Sequence, residues 1–189
     1  MLCTERLVLR PVTGDDHPAL LAHWTLPDVR RFLFDGAPLS SAEVAETIEE
    51  SIGDFAGHGY GIWLIELGSG TDSGPSPGPS PGLSPGPGLV GTAGLRPLEE
   101  SGLEIFYSLA PGAWGHGYAT EAARAVVEYA LGPLGLPEVL AEVDEGNTAS
   151  VAVVERLGMT AFDVVPGALG LMIRYRRAAR PAWPAPHPA

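Results

Sequence analysis

Cysteine is nearly absent. Cys3 is the only one in 189 residues, so no disulfide can form within the chain, and a cytoplasmic setting is the expectation. Its place at the chain end makes it a poor candidate nucleophile. Long apolar runs are also missing. No stretch approaches the roughly 20 residues that cross a bilayer, and the first ten residues are too short and too charged for a secretory signal. No membrane partner is expected. Basic residues are scarce, eleven against twenty-three acidic, for a net charge of −12. So acidic a chain neutralises a phosphate backbone poorly, which argues against nucleic acid as a partner. The same charge keeps the chain soluble and draws in cations, protonated amines among them. His17, His23, His58 and His187 are scattered, and the glutamates Glu43, Glu46, Glu49 and Glu50 have no histidine at ligand spacing. No metal is expected.

What is present centres on residues 103–131, LEIFYSLAPGAWGHGYATEAARAVVEYAL. The first seven residues are apolar and aromatic, as in a strand. Pro111 and Gly112 end it, and Gly115-His116-Gly117 forms a turn. The period then changes: Ala119, Ala122, Ala123, Val126 and Ala130 recur every three or four residues, with Thr120, Glu121, Arg124 and Glu128 on the other face. That is an amphipathic helix. A turn of small residues opening a helix presents unpartnered N–H groups and the positive end of the helix dipole, with room for close approach. It can seat a phosphate or pyrophosphate without a lysine, although the same turn also serves simply to join a strand to a helix. A dinucleotide fingerprint wants a third small residue where Thr120 stands, and usually opens the first βαβ unit rather than lying past mid-chain. A Walker loop wants a Gly-Lys pair, and none occurs. An acyl-coenzyme A site is the third reading.

The remaining chain gives a consistent frame. Residues 6–12 read as a strand closed by Pro11, followed by a short helix from Asp15 or Asp16 to Trp24 that Pro27 ends. Ser40 and Glu43 form a capping box for a helix with Val44, Ile48, Ile52 and Phe55 on one stripe. Residues 60–67 and 89–95 read as antiparallel strands. Between them, eighteen of the twenty-one residues 68–88 are Gly, Pro or Ser, far beyond the 2–5 residues of ordinary hairpin loops. This is expected to be a disordered insertion. It could also bind a proline-reading partner. A strand over 139–143, a helix capped by Asn147 and stopped by Gly158, and a hairpin over 161–165 and 171–175 complete the domain. Residues 177–189 are expected to form a frayed tail. The fold class is α+β: one domain with a mixed, mostly antiparallel sheet, flanking helices and a β–α–β unit.

Three runs carry a family resemblance. W-G-H-G-Y-A-T-E-A at 114–122 resembles the coenzyme A pyrophosphate loop of the GNAT N-acetyltransferases. T-E-R-L-V-L-R at 4–10 resembles the opening strand of the branch typified by ribosomal-protein alanine acetyltransferases, and N-T-A-S-V-A-V-V-E-R-L-G-M at 147–159 its last helix. The resemblance implies a GNAT domain over 1–176 that uses acetyl-CoA as co-substrate. The acceptor would be a primary amine, on a protein N-terminus or a small molecule, attacking directly in a ternary complex. With no Cys–His pair, a covalent enzyme intermediate is not indicated. Such a site needs a proton acceptor, donors for the oxyanion and an acid for the leaving thiolate.

Glu104 is the candidate base, acting directly or through water, and otherwise an exposed strand carboxylate. Ser150 is the candidate acid, by the resemblance near the coenzyme A sulfur, and otherwise a helix-start hydroxyl. The resemblance pairs the pantetheine amides with Tyr107, Ser108 and Leu109. It places the pyrophosphate on N–H groups of Trp114, Gly115, His116, Gly117, Tyr118, Ala119 and Thr120, with Asn147 on the pantetheine arm. Tyr107 is expected to contribute backbone only, by strand alternation, and the oxyanion donor is expected near Leu109. Phe32 and Phe34 are candidates for the acceptor site or for core packing. Phe106, where the family commonly has glycine, would alter that pocket. A non-catalytic acyl-CoA-binding module and an interaction protein acting through the insertion are the alternatives.

Overall fold

Alternation decides how the strands pack. The computed structural model describes residues 1–68, 88–98 and 101–179. Strands β1 (Leu2–Cys3), β2 (Leu7–Pro11), β3 (Ile62–Leu67), β4 (Leu89–Leu98), β5 (Gly102–Leu109), β6 (Glu138–Asp144), β7 (Thr160–Gly167) and β8 (Gly170–Ala178) form one sheet in the order β1-β2-β3-β4-β5-β6-β8-β7. All neighbours are antiparallel except β5 and β6. In β3, Trp63 and Ile65 join Leu7 and Leu9 on one face, while Ile62 and Leu64 join Val12 on the other. Helices α1 (His17–Trp24), α2 (Pro27–Arg30) and α3 (Ser41–His58) cover the second face through Leu20, Trp24, Val29, Val44 and Ile48. Helices α4 (Tyr118–Leu131) and α5 (Thr148–Arg156) cover the first through Ala122, Ala123, Val126 and Val154.

The α+β domain read from the sequence is the one found. Ser40 accepts from the Glu43 N–H, and the Glu43 carboxylate accepts from the Ser40 N–H, at 3.2 and 2.7 Å. This capping box starts α3, and Gly59 at φ +78° ends it. Asn147 caps α5 by accepting the Ser150 N–H. The tail expectation needs correction. Strand β8 continues to Ala178, where Arg177 and Ala178 pair with Val139 and Glu138, so 177–178 belong to the sheet. Residues 180–189 lie outside the described residues, as does 69–87 of the expected insertion; its flanks Gly68 and Gly88 adjoin β3 and β4.

The N-terminal segment is tied to α4 by one carboxylate. Glu121 accepts from Thr4 Oγ1, from the Arg6 N–H at 2.9 Å and from Arg6 Nε at 2.7 Å. Arg6 also donates to the His116 carbonyl at 3.0 Å and lies over the Tyr118 ring. Two of the three runs that carry the family resemblance are therefore halves of one contact. Burial pushes the Glu121 carboxyl up, but these donors outweigh it and hold the group below its ordinary value. A depressed carboxyl stabilises the fold above its unfolded value and loses that contribution as pH falls through its folded value. Glu121→Gln is expected to lower unfolding free energy by about 1–2 kcal/mol at neutral pH. The gap to the natural chain should close below about pH 4; denaturant unfolding across pH measures it, and a gap constant with pH would contradict this account.

Candidate active site

The sheet comes apart at its parallel step. Strands β5 and β6 share one pair, Glu104 with Leu140. Beyond it, the next β6 donor, the Glu142 N–H, goes to the Glu104 carboxylate at 3.3 Å and not to a β5 carbonyl. A cavity of ≈ 1050 Å³ opens along this gap. Its walls are the Glu104–Leu109 part of β5, the loop and first turn of α4, and the start of α5, with Val29, Phe32 and Leu33 at its far side.

Register decides which backbone groups face the gap. The Ala110 N–H donates to the Val90 carbonyl at 2.9 Å. Polar groups alternate sides along an antiparallel strand, so Phe106 and Ser108 present theirs to β4, while Tyr107 and Leu109 present theirs to β6. The expectation that Ser108 offers its backbone to a pantetheine arm is thus corrected. Its side chain instead enters the cavity lining from the opposite face and bonds His23 at 2.9 Å. The Leu109 carbonyl is occupied by the Trp114 indole N–H at 2.8 Å, which leaves its N–H as the backbone donor toward the gap.

The loop after β5 is shaped as an anion seat. Gly115 and Gly117 both sit at φ +79°, a region costly for other residues. Among the described residues, the N–H groups of Gly115, His116 and Gly117 donate to no backbone carbonyl, and α4 begins directly after them. Such a seat fits a pyrophosphate. Two members of the expected set behave differently. The Trp114 N–H is spent on the Pro111 carbonyl at 3.2 Å. The His116 side chain does not line the cavity; it stacks on Tyr118 at 5.4 Å, and its carbonyl is turned to Arg6.

Glu104 is not an exposed strand carboxylate. It is 3% exposed, and its Oε1 accepts from Arg96 Nε at 2.6 Å. Burial pushes its carboxyl up; Arg96 pulls it back, the neighbouring Glu142 charge adds to the rise, and the net direction is upward. A buried carboxylate with a raised pKa is a stronger proton acceptor, and each oxygen keeps a lone pair beyond its recorded bond. Arg96 is directly opposite Glu104 in the β4–β5 register; that hairpin pairing was the signal available for finding it.

Ser150 and Asn147 both line the cavity. The Asn147 carbonyl oxygen caps α5, and the Ser150 carbonyl accepts the Tyr107 hydroxyl at 3.2 Å. Tyr107 therefore contributes more than backbone: its ring crosses from β5 to α5 on the gap side, and burial pushes its hydroxyl up to about 12. Phe32 lines the cavity beneath the Arg31 guanidinium. Phe34 does not. It packs edge-on against Trp24 at 5.4 Å with φ +51°, so it belongs to the core. Among the described residues, no group of three or more His, Cys, Asp or Glu is placed to hold a metal, and no helix is long and apolar enough to cross a membrane.

The site is thus a cleft between splayed parallel strands, with an open N–H loop at one end and a buried carboxylate at the other. The chain matches the acetyltransferase (GNAT) domain family over residues 6–160 and belongs to it. It is 26% identical over 158 residues to the uncharacterized N-acetyltransferase p20 of Bacillus licheniformis, covering 82% of this chain and 80% of that one. An acetyltransferase structure from Agrobacterium tumefaciens superposes with a TM-score of 0.73 at 28% identity, covering 93% and 92% of the two chains. A ribosomal L7/L12 alpha-N-protein acetyltransferase in complex with coenzyme A shares the fold, with a TM-score of 0.71, 17% identity and 93% and 95% coverage. The protein is thus a GNAT N-acetyltransferase; the likeness at 17% identity is one of fold and does not select a branch.

Phe106 stands where its strand partner makes room. It lies opposite Gly94, and a Cβ on Gly94 would meet Phe106 ring atoms at 2.6 and 2.7 Å and the Gly61 carbonyl at 2.7 Å. Arg96 lies over the ring, 5.3 Å from its centre. Gly94→Ala is expected to destabilise by about 1–3 kcal/mol. Adding Phe106→Ala should recover only part of that loss, because the Gly61 contact is backbone. Full recovery in the double variant, measured by thermal unfolding, would show that the ring alone sets the constraint.

Proposed function

We propose that the protein moves an acetyl group from acetyl-CoA to a primary amine by direct attack in a ternary complex. The observation that carries this reading is one continuous cavity that runs from the N–H loop at 115–117 to Glu104 across the gap between β5 and β6. Acetyl-CoA would supply an activated thioester carbonyl. Gly115 and Gly117 hold the loop N–H groups toward its pyrophosphate, Tyr107 and Leu109 offer strand-like hydrogen bonds to its arm, and the Leu109 N–H is placed to meet developing oxyanion charge. Glu104 receives the amine proton, directly or through water. Ser150 stands as the acid for the departing sulfur. The acceptor is a protein N-terminus, as in the branch the sequence resembles, or a small-molecule amine, and the net charge of −12 favours approach of a protonated one. A cytoplasmic location fits this chemistry.

Two measurements test it. At a hundredfold over its Kd, acetyl-CoA should stabilise the natural chain by about 2.7 kcal/mol, a rise in Tm of roughly 5–10 °C. Gly117→Val, which forces a branched side chain to φ +79°, should abolish the rise; a folded natural chain with no rise would sink the cofactor assignment. Glu104→Gln retains an acceptor for the Glu142 N–H and removes the base. It should keep the acetyl-CoA rise and lose about 10²–10⁴-fold in kcat. In the natural enzyme, the acid limb of kcat/KM should lie above the ordinary glutamate range. Removing the Arg96 cation, as in Arg96→Met, should move that limb further to higher pH, because Arg96 holds the Glu104 carboxyl down. A Glu104→Gln enzyme of unchanged rate would favour a carboxylate that only props the cleft open.

A further inference from the structure

Each end of the gap between β5 and β6 is finished by a side chain. At one end the Glu142 N–H, freed by the splay, goes to the Glu104 carboxylate at 3.3 Å. At the other, the last β5 carbonyl, that of Leu109, accepts the Trp114 indole N–H at 2.8 Å. The chemistry above uses the first side chain and leaves the second without a task. Trp114 lines the cavity and is 50% exposed. Among the described residues it joins neither core cluster, so packing does not account for where its ring lies. The chain folds back to make the bond. One tight turn, Pro111–Ala113, puts the Ala113 N–H on the Ala110 carbonyl at 2.8 Å and the Trp114 N–H on the Pro111 carbonyl at 3.2 Å. That turn returns residue 114 to the strand end it has just left.

Register shows what the bond does. The Ala110 N–H points to Val90 on β4, so the carbonyl of the same peptide unit, that of Leu109, points to the gap. The Leu109 N–H points there too, because the two groups of one extended residue lie on the same side of a strand. Left bare, this end of β5 would offer a ligand a donor and an acceptor side by side. An indole nitrogen donates and never accepts, so the direction of the Trp114 bond is fixed. With the indole in place, the strand end offers a free donor beside an acceptor that is already satisfied.

That asymmetry has a chemical complement. A peptide-like ligand brings N–H groups as well as carbonyls and can satisfy both kinds of group on an open strand edge. An acyl thioester has a carbonyl oxygen and no N–H. Laid on a bare strand end, it would accept from the Leu109 N–H and cover the Leu109 carbonyl without giving it a partner, and a covered, unpaired acceptor weakens binding. We propose that Trp114 is a positioning residue that fits this end of β5 to an acyl thioester. Its indole N–H satisfies the carbonyl that the acyl group cannot, and the Leu109 N–H is left to the acyl oxygen. The assignment rests on the acetyl-CoA reading above. Free coenzyme A has no acyl group to cover the strand end, and its thiol is itself a weak donor, so the indole matters less to it.

Calorimetry on the full chain tests this by comparing acetyl-CoA with coenzyme A. Trp114→Phe keeps a ring and loses the N–H. Its Kd for acetyl-CoA should rise about tenfold, while its Kd for coenzyme A stays within about twofold of the natural value. Trp114→Gln loses the ring, but its amide nitrogen stands as many bonds from Cα as the indole nitrogen. It should bring the ratio of the two constants back to within about threefold of the natural ratio. A Trp114 that only shaped the loop leading into Gly115 would, once replaced, weaken both ligands alike. In the natural chain, the Trp114 indole proton should exchange slowly despite the exposure of the residue, and that protection should survive saturation with acetyl-CoA. Equal weakening of both ligands in Trp114→Phe, unchanged acetyl-CoA binding in that variant, a Trp114→Gln ratio no better than that of Trp114→Phe, or loss of indole protection on loading would each overturn the assignment. The last of these needs no variant to fold. A natural chain that binds neither ligand would remove the acetyl-CoA reading, and the assignment with it.

Discussion

Much of this structure depends on where one carboxylate sits. Glu104 occupies the fork at which β5 and β6 part, taking the Glu142 N–H on one oxygen and the Arg96 guanidinium on the other. A parallel ladder that simply continued would close the cleft. A carboxylate in the fork ends the ladder while satisfying the freed donor, so the opening leaves no orphaned β6 amide at that step. The same burial that makes this costly raises the proton affinity of the group, and Arg96 opposes the rise. Architecture and chemical capability thus have a common source in the desolvation of a single side chain.

A second tie acts at the other end of the cavity. Glu121, on the first turn of α4, gathers Thr4 and Arg6, and Arg6 in turn holds the His116 carbonyl. With that carbonyl pulled away from the cavity, the N–H groups of the loop remain available to an anion. A cation near the loop therefore acts through geometry, by turning a peptide unit, as well as through charge. The glycines supply the backbone freedom, and the N-terminal segment selects one of the conformations they allow.

Legibility in the sequence followed the range of the interactions. The helix caps, the strand-to-helix turn and the antiparallel strands on either side of the insertion are local, and Ser40, Glu43, Asn147 and the flanks of 68–88 declare them. The motif at 114–122 marks the loop, and the resemblance names Glu104 and Ser150, which line one cavity. Long-range pairing was hidden. Arg96 becomes visible only through its register with Glu104, and His23 only when α1 docks across the sheet against Ser108, 85 positions away. Alternation puts Tyr107 on the face opposite Phe106 and Ser108, which argues for backbone alone, but α5 packs on that same face and the hydroxyl reaches its Ser150 carbonyl. Phe34 reads like Phe32 in sequence, yet a left-handed backbone turn sends it to Trp24. His116 sits within a binding motif, but its stacking on Tyr118 faces it away.

The single rung between β5 and β6 also divides the sheet into two hydrogen-bonded ladders. One runs from β1 to β5 and the other from β6 to β8; beyond the rung, α4 packs on strands of both. A pantetheine-like ligand lying in the gap would act as an extra strand, supplying hydrogen bonds that the chain does not make for itself. Occupancy then becomes a matter of secondary structure. Amide protons along the facing edges of β5 and β6 should exchange as those of sheet edges in the empty protein and as those of sheet interior in the loaded one. In that sense such a ligand would complete the fold before taking part in a reaction.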